Sequence, residues 1–136
     1  MAAAHRFAVR VYFEDTDFTA RVYHGAFVRF FERGRTEMLR AAGLDHAGLS
    51  AADPALFFTI RAMSLRFLGP AFIDDELHVL TRPLEPPRAS IVLGQTIVRG
   101  ATPLCEATVE LCVITAGGRP VRPSRAIRNA FPAERS

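Results

Sequence analysis

A cluster of acids is the first candidate for chemistry. Glu14, Asp15 and Asp17 fall within four residues of the stretch YFEDTDFTARVYH, residues 12–24, and a helical pattern begins near His24. The N-terminus of a helix presents unpaired N–H groups and a partial positive charge, which stabilise a nearby carboxylate and a developing oxyanion. A base beside such donors suits the attack of water on a carbonyl carbon. The competing interpretation is that these acids cap and solubilise a loop, and spacing alone favours it.

Other kinds of active site are poorly supported. The sequence has no G-x-S-x-G serine motif, no P-loop and no G-x-G-x-x-G turn. Cys105 and Cys112 lie in one strand-like run, at a separation of roughly 23 Å for an extended chain, so we predict reduced thiols and no thiol nucleophile. The other histidines show no metal-ligand spacing, so we predict neither a metal nor a cofactor. They are His5, His46 and His78.

Hydrophobic periodicity predicts the elements that must position the acids. Residues 6–13 alternate as a half-buried strand, and residues 25–42 change to a helical period with one apolar stripe. Gly34 lies on that stripe, which indicates a close approach of the helix to a sheet, and Gly43 is placed to end the helix. One helical turn is expected within residues 45–55 and another in the tail. Four further strands are predicted, at 56–67, 75–83, 88–99 and 103–115.

This order of elements predicts an α+β fold, in which an antiparallel sheet of five or six strands wraps around one long helix. At 136 residues we expect a single domain over 1–136. The strand at 88–99 is fairly apolar on both faces, and one helix cannot cover both faces of a sheet. We therefore expect the second face to be buried by association of copies of the chain.

Charge and hydropathy limit the partners. The net charge is +3 and the chain has no Lys, so all 17 basic residues are arginines, five of them in the last 18 residues. Phosphate groups on a small molecule explain this charge, and without a nucleic-acid recognition motif we predict no nucleic-acid partner. The sequence has no apolar run of about 18 residues and no signal-peptide pattern. We expect a cytoplasmic protein without a membrane span.

Four segments carry a resemblance to a known family. YFEDTDFTARVYHGAFVRFFERGRTEMLRAAGL resembles Y-x-E-D-T-D-x-x-G-x-V-Y-H-x-x-Y, the opening segment of the 4-hydroxybenzoyl-CoA thioesterase-like hotdog family. Three later segments agree with the family in order and spacing: MSLRFLGPAFIDDELHV, RASIVLGQTIVR and GRPVRPSRAIRNAF. The resemblance covers nearly the whole chain and is closest to the Tol-Pal-associated acyl-CoA thioesterases.

The resemblance implies a hotdog fold, a dimer or homotetramer with active sites at the subunit interface, and an acyl-CoA substrate. It implies that Asp17 is the nucleophile or general base, and that the backbone N–H of Tyr23 or His24 polarises the thioester carbonyl. Glu14, Asp15 and Thr16 are then turn and hydrogen-bonding framework. Residues expected where the CoA phosphates bind are Arg88, Ser90, Arg122 and Arg125.

One position departs from the family pattern. Ala20 stands where the family has Gly, and a positive φ there would strain Ala by about 1 kcal/mol. The acyl group, a short chain or an aromatic ring, is left open. Two alternatives are also left open: an enoyl-thioester hydratase or dehydratase that uses Asp17 and His24 as an acid–base pair, and a non-catalytic acyl-CoA-binding protein.

Overall fold

A six-stranded antiparallel sheet and three helices form residues 4–132, the part of the chain that the computed structural model describes. The strands are β1 (His5–Arg10), β2 (Leu56–Phe67), β3 (Glu76–Pro83), β4 (Ile91–Arg99), β5 (Thr102–Thr115) and β6 (Pro120–Val121). The helices are α1 (His24–Ala41), α2 (His46–Ala51) and α3 (Arg125–Ala130), and a 3₁₀ turn covers Phe13–Asp15. The predicted α+β class is confirmed, with two short helices beside the long one. None of the described helices has both the length and the apolar character that crossing a membrane requires.

The sheet has the strand order β1-β3-β4-β5-β2, and β6 pairs with the end of β5. Because neighbouring strands are antiparallel, the sheet has two distinct ends. At the first, which we call the Phe67 end, β1, β2 and β4 finish while β3 and β5 begin. At the second, the Leu56 end, β2 and β4 begin while β3 and β5 finish.

Helix α1 packs against one face of the sheet through the predicted apolar stripe, including Phe27, Phe30 and Phe31. Gly34 permits the close approach, because a Cβ atom there would lie 2.5 Å from Val79 Cγ1. Gly43 follows the helix with a φ of +86°, the left-handed conformation that ends many helices. Both predictions for these glycines are confirmed.

Arg35 lies on α1 at a position that the hydrophobic periodicity placed on neither the apolar stripe nor the polar side of the helix. Its side chain is buried in the helix–sheet interface, where Nη1 donates a hydrogen bond to Gln95 Oε1 at 3.0 Å. Gln95 Nε2 in turn donates to the Phe31 carbonyl oxygen at 2.9 Å and to Thr81 Oγ1 at 3.0 Å. Burial lowers the pKa of the Arg35 guanidinium, and Glu32 opposes this by its charge. A polar network therefore ties the helix to β3 and β4 inside an otherwise apolar core.

Two predicted strands are too long at one end. The first strand finishes at Arg10, because the Tyr12 N–H donates to Asp15 Oδ2 at 2.8 Å and the chain enters the 3₁₀ turn. Phe13 is consequently 81% exposed and does not lie on the inner face of β1. The strand predicted at 88–99 begins at Ile91, because the Arg88 N–H donates to the Ser90 carbonyl oxygen at 3.0 Å.

The outer face of the sheet is more polar than the pattern of β4 indicates. Gly94 and Thr96 of β4 face outward beside Arg82 of β3 and Thr108 and Glu106 of β5. The hydrophobic pattern of β4 alone could not predict this polarity, because the neighbouring strands β3 and β5 contribute the charged side chains on the same face. An apolar contact between copies is therefore less suited to this face than the sequence indicates.

Candidate active site

The acidic stretch forms a short hairpin at the Phe67 end of the sheet. Thr16 pairs with Val22, the Asp17 N–H donates to the Arg21 carbonyl oxygen at 2.9 Å, and the Ala20 N–H donates to the Asp17 carbonyl oxygen at 3.0 Å. The Val22 N–H reaches the Ala71 carbonyl oxygen at 2.8 Å, in the connection between β2 and β3. These bonds hold Asp17 at the tip of a hairpin that leads directly into α1.

Ala20 adopts the backbone conformation that the comparison with the family pattern anticipates. Its φ is +65°, in the left-handed region where a Cβ atom is unfavourable. The Ala20 N–H still closes the turn on Asp17. The hairpin therefore keeps a path that normally favours Gly, and the strain falls three residues from the candidate base.

Asp17 presents an ionised carboxylate with one oxygen available. Oδ1 accepts hydrogen bonds from the Thr19 hydroxyl at 2.5 Å and from the Thr19 N–H at 2.8 Å. These bonds, above all the one from the hydroxyl, hold the pKa of the Asp17 carboxyl below its usual value of 3.8. Within residues 4–132, Oδ2 has no hydrogen-bond partner, so it is available to a water molecule or a substrate.

Thr19 is a residue of this site that the sequence interpretation missed. A hydroxyl two residues after an Asp has the spacing of an Asx turn, in which the carboxylate accepts from the backbone N–H two positions on. That spacing was the available signal. Thr19 orients Asp17 and favours its charged form.

The start of α1 leaves two backbone N–H groups available. The Tyr23 N–H donates to the Asp15 carbonyl oxygen at 2.9 Å, so it is already engaged within the framework. His24 and Gly25 begin the helix, and in the described part of the chain neither N–H has an acceptor. Of the two donors considered from the sequence, His24 is the one that can meet a substrate oxygen.

Asp15 belongs to the framework, as predicted. The residue is only 3% exposed, and its carboxylate accepts hydrogen bonds from the Tyr12 N–H and, at 3.5 Å, from Arg29 Nη2 of α1. Thr16 caps the same turn by donating from its hydroxyl to the Phe13 carbonyl oxygen at 2.7 Å. Asp15, which is buried, therefore differs in role from Asp17, which is exposed.

Aromatic side chains surround the helix start. The His24 ring lies 4.2 Å from the Tyr23 ring and 6.4 Å from the Phe67 ring, measured between centroids, and Phe27 lies 5.9 Å from Phe67. No hydrogen bond joins the side chains of His24 and Asp17 in the described residues.

The residues expected at the CoA phosphates lie at the Leu56 end. Arg88 and Ser90 are in the loop between β3 and β4, Arg122 follows β6, and Arg125 begins α3. The length of β3, eight residues, separates this end from the Phe67 end by roughly 23 Å. One copy of the chain therefore carries Asp17, Tyr23 and His24 on the hairpin and the helix start at the Phe67 end, and the arginine set lies at the other end.

Three further features bear on ligands. A cavity of about 180 Å³ lies beside the second half of α1, where Arg35, His46, Phe58 and Phe131 are among its lining residues. Residues 4–132 contain no cluster of three or more His, Cys, Asp and Glu side chains arranged to hold a metal ion. Cys105 is buried, and burial raises the pKa of its thiol to about 11, which keeps the thiol protonated.

Comparison with known proteins supplies the context for this geometry. Residues 11–131 match the family model of the thioesterase-like superfamily. The chain is 35% identical to an acyl-CoA thioesterase, YbgC, from Haemophilus influenzae, over 92% of each chain. It is 36% identical to the acyl-CoA thioester hydrolase YbgC from Escherichia coli, over 95% of this chain and 93% of that one.

A solved structure of a related protein has the same fold as this chain. The crystal structure of a probable thioesterase from Bartonella henselae superposes with a TM-score of 0.87 at 40% identity, covering 90% of this chain and all of that one. The resemblance to the thioesterase family, first noted on the acidic stretch, is thereby confirmed over nearly the whole length of the chain. The chain belongs to the thioesterase-like superfamily.

Proposed function

We propose that this protein hydrolyses an acyl-CoA thioester to the free acid and CoA, with Asp17 as the nucleophile or general base. The observation that carries the proposal is the Asp17 carboxylate, ionised and with Oδ2 available, on the hairpin that leads into α1. The relatives named acyl-CoA thioesterases support the choice of substrate. The His24 N–H is proposed to polarise the thioester carbonyl, while Tyr23 positions the helix start through its bond to Asp15.

The chemistry of a thioester suits so small a set of groups. Attack at the carbonyl carbon places negative charge on its oxygen, which an N–H at a helix start stabilises. The leaving thiolate derives from a thiol whose pKa is about 8–9, so it departs without a strong acid. A carboxylate that is already ionised at neutral pH can attack directly or can take a proton from water, and either path uses the same residue.

A panel of thioesters tests the reaction. Acyl-CoAs from acetyl through 4-hydroxybenzoyl to palmitoyl should release thiol, detected with a thiol reagent, with the highest rates for short-chain or aromatic acyl groups. Crotonyl-CoA separates the alternatives, since a hydratase removes the enoyl absorbance without releasing thiol. Thiol release from no member of the panel, with acyl-CoA binding retained, would instead establish a binding protein.

We propose further that the protein is a homo-oligomer, a dimer or tetramer, with each site shared between copies. β2 is twelve residues long and, among the described strands, has a partner on one side only. Phe57, Ile60 and Phe67 on this strand are 38%, 45% and 53% exposed. A long edge strand of this kind invites pairing with another chain.

Such pairing would also complete the site. If β2 pairs with β2 of a second copy about a two-fold axis, the strands run antiparallel, and the Phe67 end of one copy adjoins the Leu56 end of the other. Asp17 and His24 of one copy then lie near the end that carries Arg88, Ser90, Arg122 and Arg125 in the other. Charged phosphates of CoA suit that arginine-rich end.

Mixing two defective variants tests the shared site. We expect Asp17→Asn to lack turnover and Arg88→Ala/Arg122→Ala to have a raised KM for acyl-CoA. After subunit exchange in an equal mixture, about a quarter of the sites combine an intact Asp17 with intact arginines, so activity at low substrate should recover to that level. The measurements are thiol release and sedimentation velocity.

A mixture of Asp17→Asn with Asp17→Ala is the matched control, since no combination of those copies restores a site. Absence of recovery in the first mixture, with exchange verified, would place the arginines and Asp17 in the same copy's site or remove the arginines from the site altogether.

We also propose a single domain in a reducing compartment, the cytoplasm. All the described strands belong to one sheet. Cys105 and Cys112 are both buried and unpaired, as is usual where disulfides do not form.

A further inference from the structure

An open groove of about 590 Å³ surrounds Asp17. Three large apolar side chains line it, Phe13, Phe18 and Ile73, with exposures of 81%, 101% and 40%. We call these three residues the apolar wall. Large apolar side chains so exposed around one carboxylate form a patch of the kind that marks a binding surface rather than the scattered exposure of ordinary surfaces.

The hairpin holds Phe18 in a defined position relative to the carboxylate. Phe18 follows Asp17 directly, inside a turn closed by the bond from the Ala20 N–H to the Asp17 carbonyl oxygen. Thr19, the next residue, binds back to Asp17 Oδ1. These bonds fix the backbone on both sides of Phe18, and its fully exposed side chain is among those that line the groove beside Asp17.

Charge decides which part of an acyl-CoA fits here. Among the described residues, the ionisable side chains that line the groove are Asp17 and Glu14, both acids, while Arg21 acts on Asp17 by its charge from outside the lining. The two carboxylates of the lining disfavour the phosphates of CoA and an acyl group that ends in a carboxylate. The arginines Arg88, Arg122 and Arg125 lie at the Leu56 end of the sheet. A neutral apolar acyl chain matches both the charge and the apolar wall.

We propose that Phe18 determines acyl specificity: with Phe13 and Ile73 it binds the apolar acyl chain of a neutral thioester and favours acyl groups longer than acetyl. This inference rests on the proposed function, because it takes Asp17 as the group that meets the thioester carbonyl. Each methylene buried against the wall strengthens binding by about four-fold, which corresponds to ~0.8 kcal/mol. Selectivity should therefore rise with chain length until the wall is covered.

The test is Phe18→Ala assayed with acetyl-, butyryl-, hexanoyl- and octanoyl-CoA. We expect kcat/KM for acetyl-CoA to stay within about three-fold of the wild-type value and that for hexanoyl-CoA to fall about ten-fold or more, since several methylenes lose their contact. Phe18→Leu keeps an apolar side chain and should retain most of the chain-length preference. Leu84→Ala, an exposed apolar residue in the loop after β3 at the Leu56 end, should leave the preference unchanged.

Three outcomes would overturn the inference. A hexanoyl-to-acetyl ratio equal to that of the wild type removes Phe18 from acyl recognition. An equal loss for every chain length assigns the wall to the pantetheine part of the substrate. A change in sedimentation coefficient together with a uniform loss of activity assigns it to a contact between copies.

The catalytic role of Asp17 and the specificity role of Phe18 can be tested separately. Asp17→Asn, assayed on the same panel, reports on the catalytic role whatever the chain-length preference. If that variant is inactive while Phe18→Ala keeps the wild-type ratio, only the specificity inference is lost. If Asp17→Asn keeps wild-type turnover, the catalytic assignment itself is wrong.

Discussion

Asp17→Asn should lower kcat by at least 100-fold, since the loss of a general base typically costs about 10²–10⁴ in rate. The amide keeps the shape of the side chain and can still accept the bonds that Thr19 donates to Oδ1. It cannot attack the thioester or accept a proton from water at neutral pH. Because the side chain is exposed and lies outside the core, we expect the variant to fold normally.

Steady-state thiol release on the best acyl-CoA measures this effect, and thermal unfolding checks the fold. Glu37→Gln is the matched control, since it removes an equal charge from the outer face of α1, where Glu37 pairs with Arg40 at 3.2 Å. Near-wild-type turnover of a folded Asp17→Asn protein would refute the catalytic assignment.

The pH dependence of kcat/KM provides a second test of Asp17 as the catalytic group. Activity requires the ionised carboxylate, and hydrogen bonds from Thr19 hold the pKa of Asp17 below 3.8. The acidic limb of kcat/KM in the wild type should therefore lie below that value, so activity is retained as pH falls from neutrality to about 4. A limb near neutral pH would indicate a different base.

His24→Pro should lower kcat by about 10²–10³, the usual effect of removing one oxyanion donor. The substitution deletes the His24 N–H, one of the two N–H groups at the helix start that are left without an acceptor, and alters little else in the helix. His24 is the first helical residue, the position where proline is well tolerated because its N–H is outside the helical bonding pattern. Tyr23 before it is already extended, with ψ at 140°, as a residue preceding proline should be.

His24→Ala separates the backbone donor from the imidazole. It keeps the N–H and should stay within about ten-fold of the wild-type kcat, while circular dichroism of both variants reports helix content. A loss in His24→Ala as large as that in His24→Pro would assign the effect to the side chain and would revive the acid–base pair of Asp17 and His24.

Local pattern was enough to predict most of the architecture. The long helix, its packing glycine Gly34 and the four later strands follow from periods of 3.6 and 2 residues, which reflect the geometry of each element alone. A positive φ at Ala20 was considered because the family pattern has Gly at this position, and the structure has it at +65°. These features depend on near neighbours in sequence.

Only the tertiary structure decided how groups distant in sequence are used. Arg35 and Gln95 meet across 60 residues in the core. The Tyr23 N–H is engaged by the Asp15 carbonyl oxygen, so of the two donors considered from the sequence only His24 is available. The placement of Arg88 at the opposite end of the sheet from Asp17 likewise follows from strand register. Hydrogen-bond partners and strand register are set by the packing of the whole chain, and a one-dimensional pattern does not contain them. Spacing alone favoured a capping loop, and the resemblance of the acidic stretch to the family pattern singled out Asp17 as the candidate base. Its Thr19 partner, its available oxygen and the apolar groove that it lines were decided by the fold, because they depend on contacts that a one-dimensional pattern does not contain.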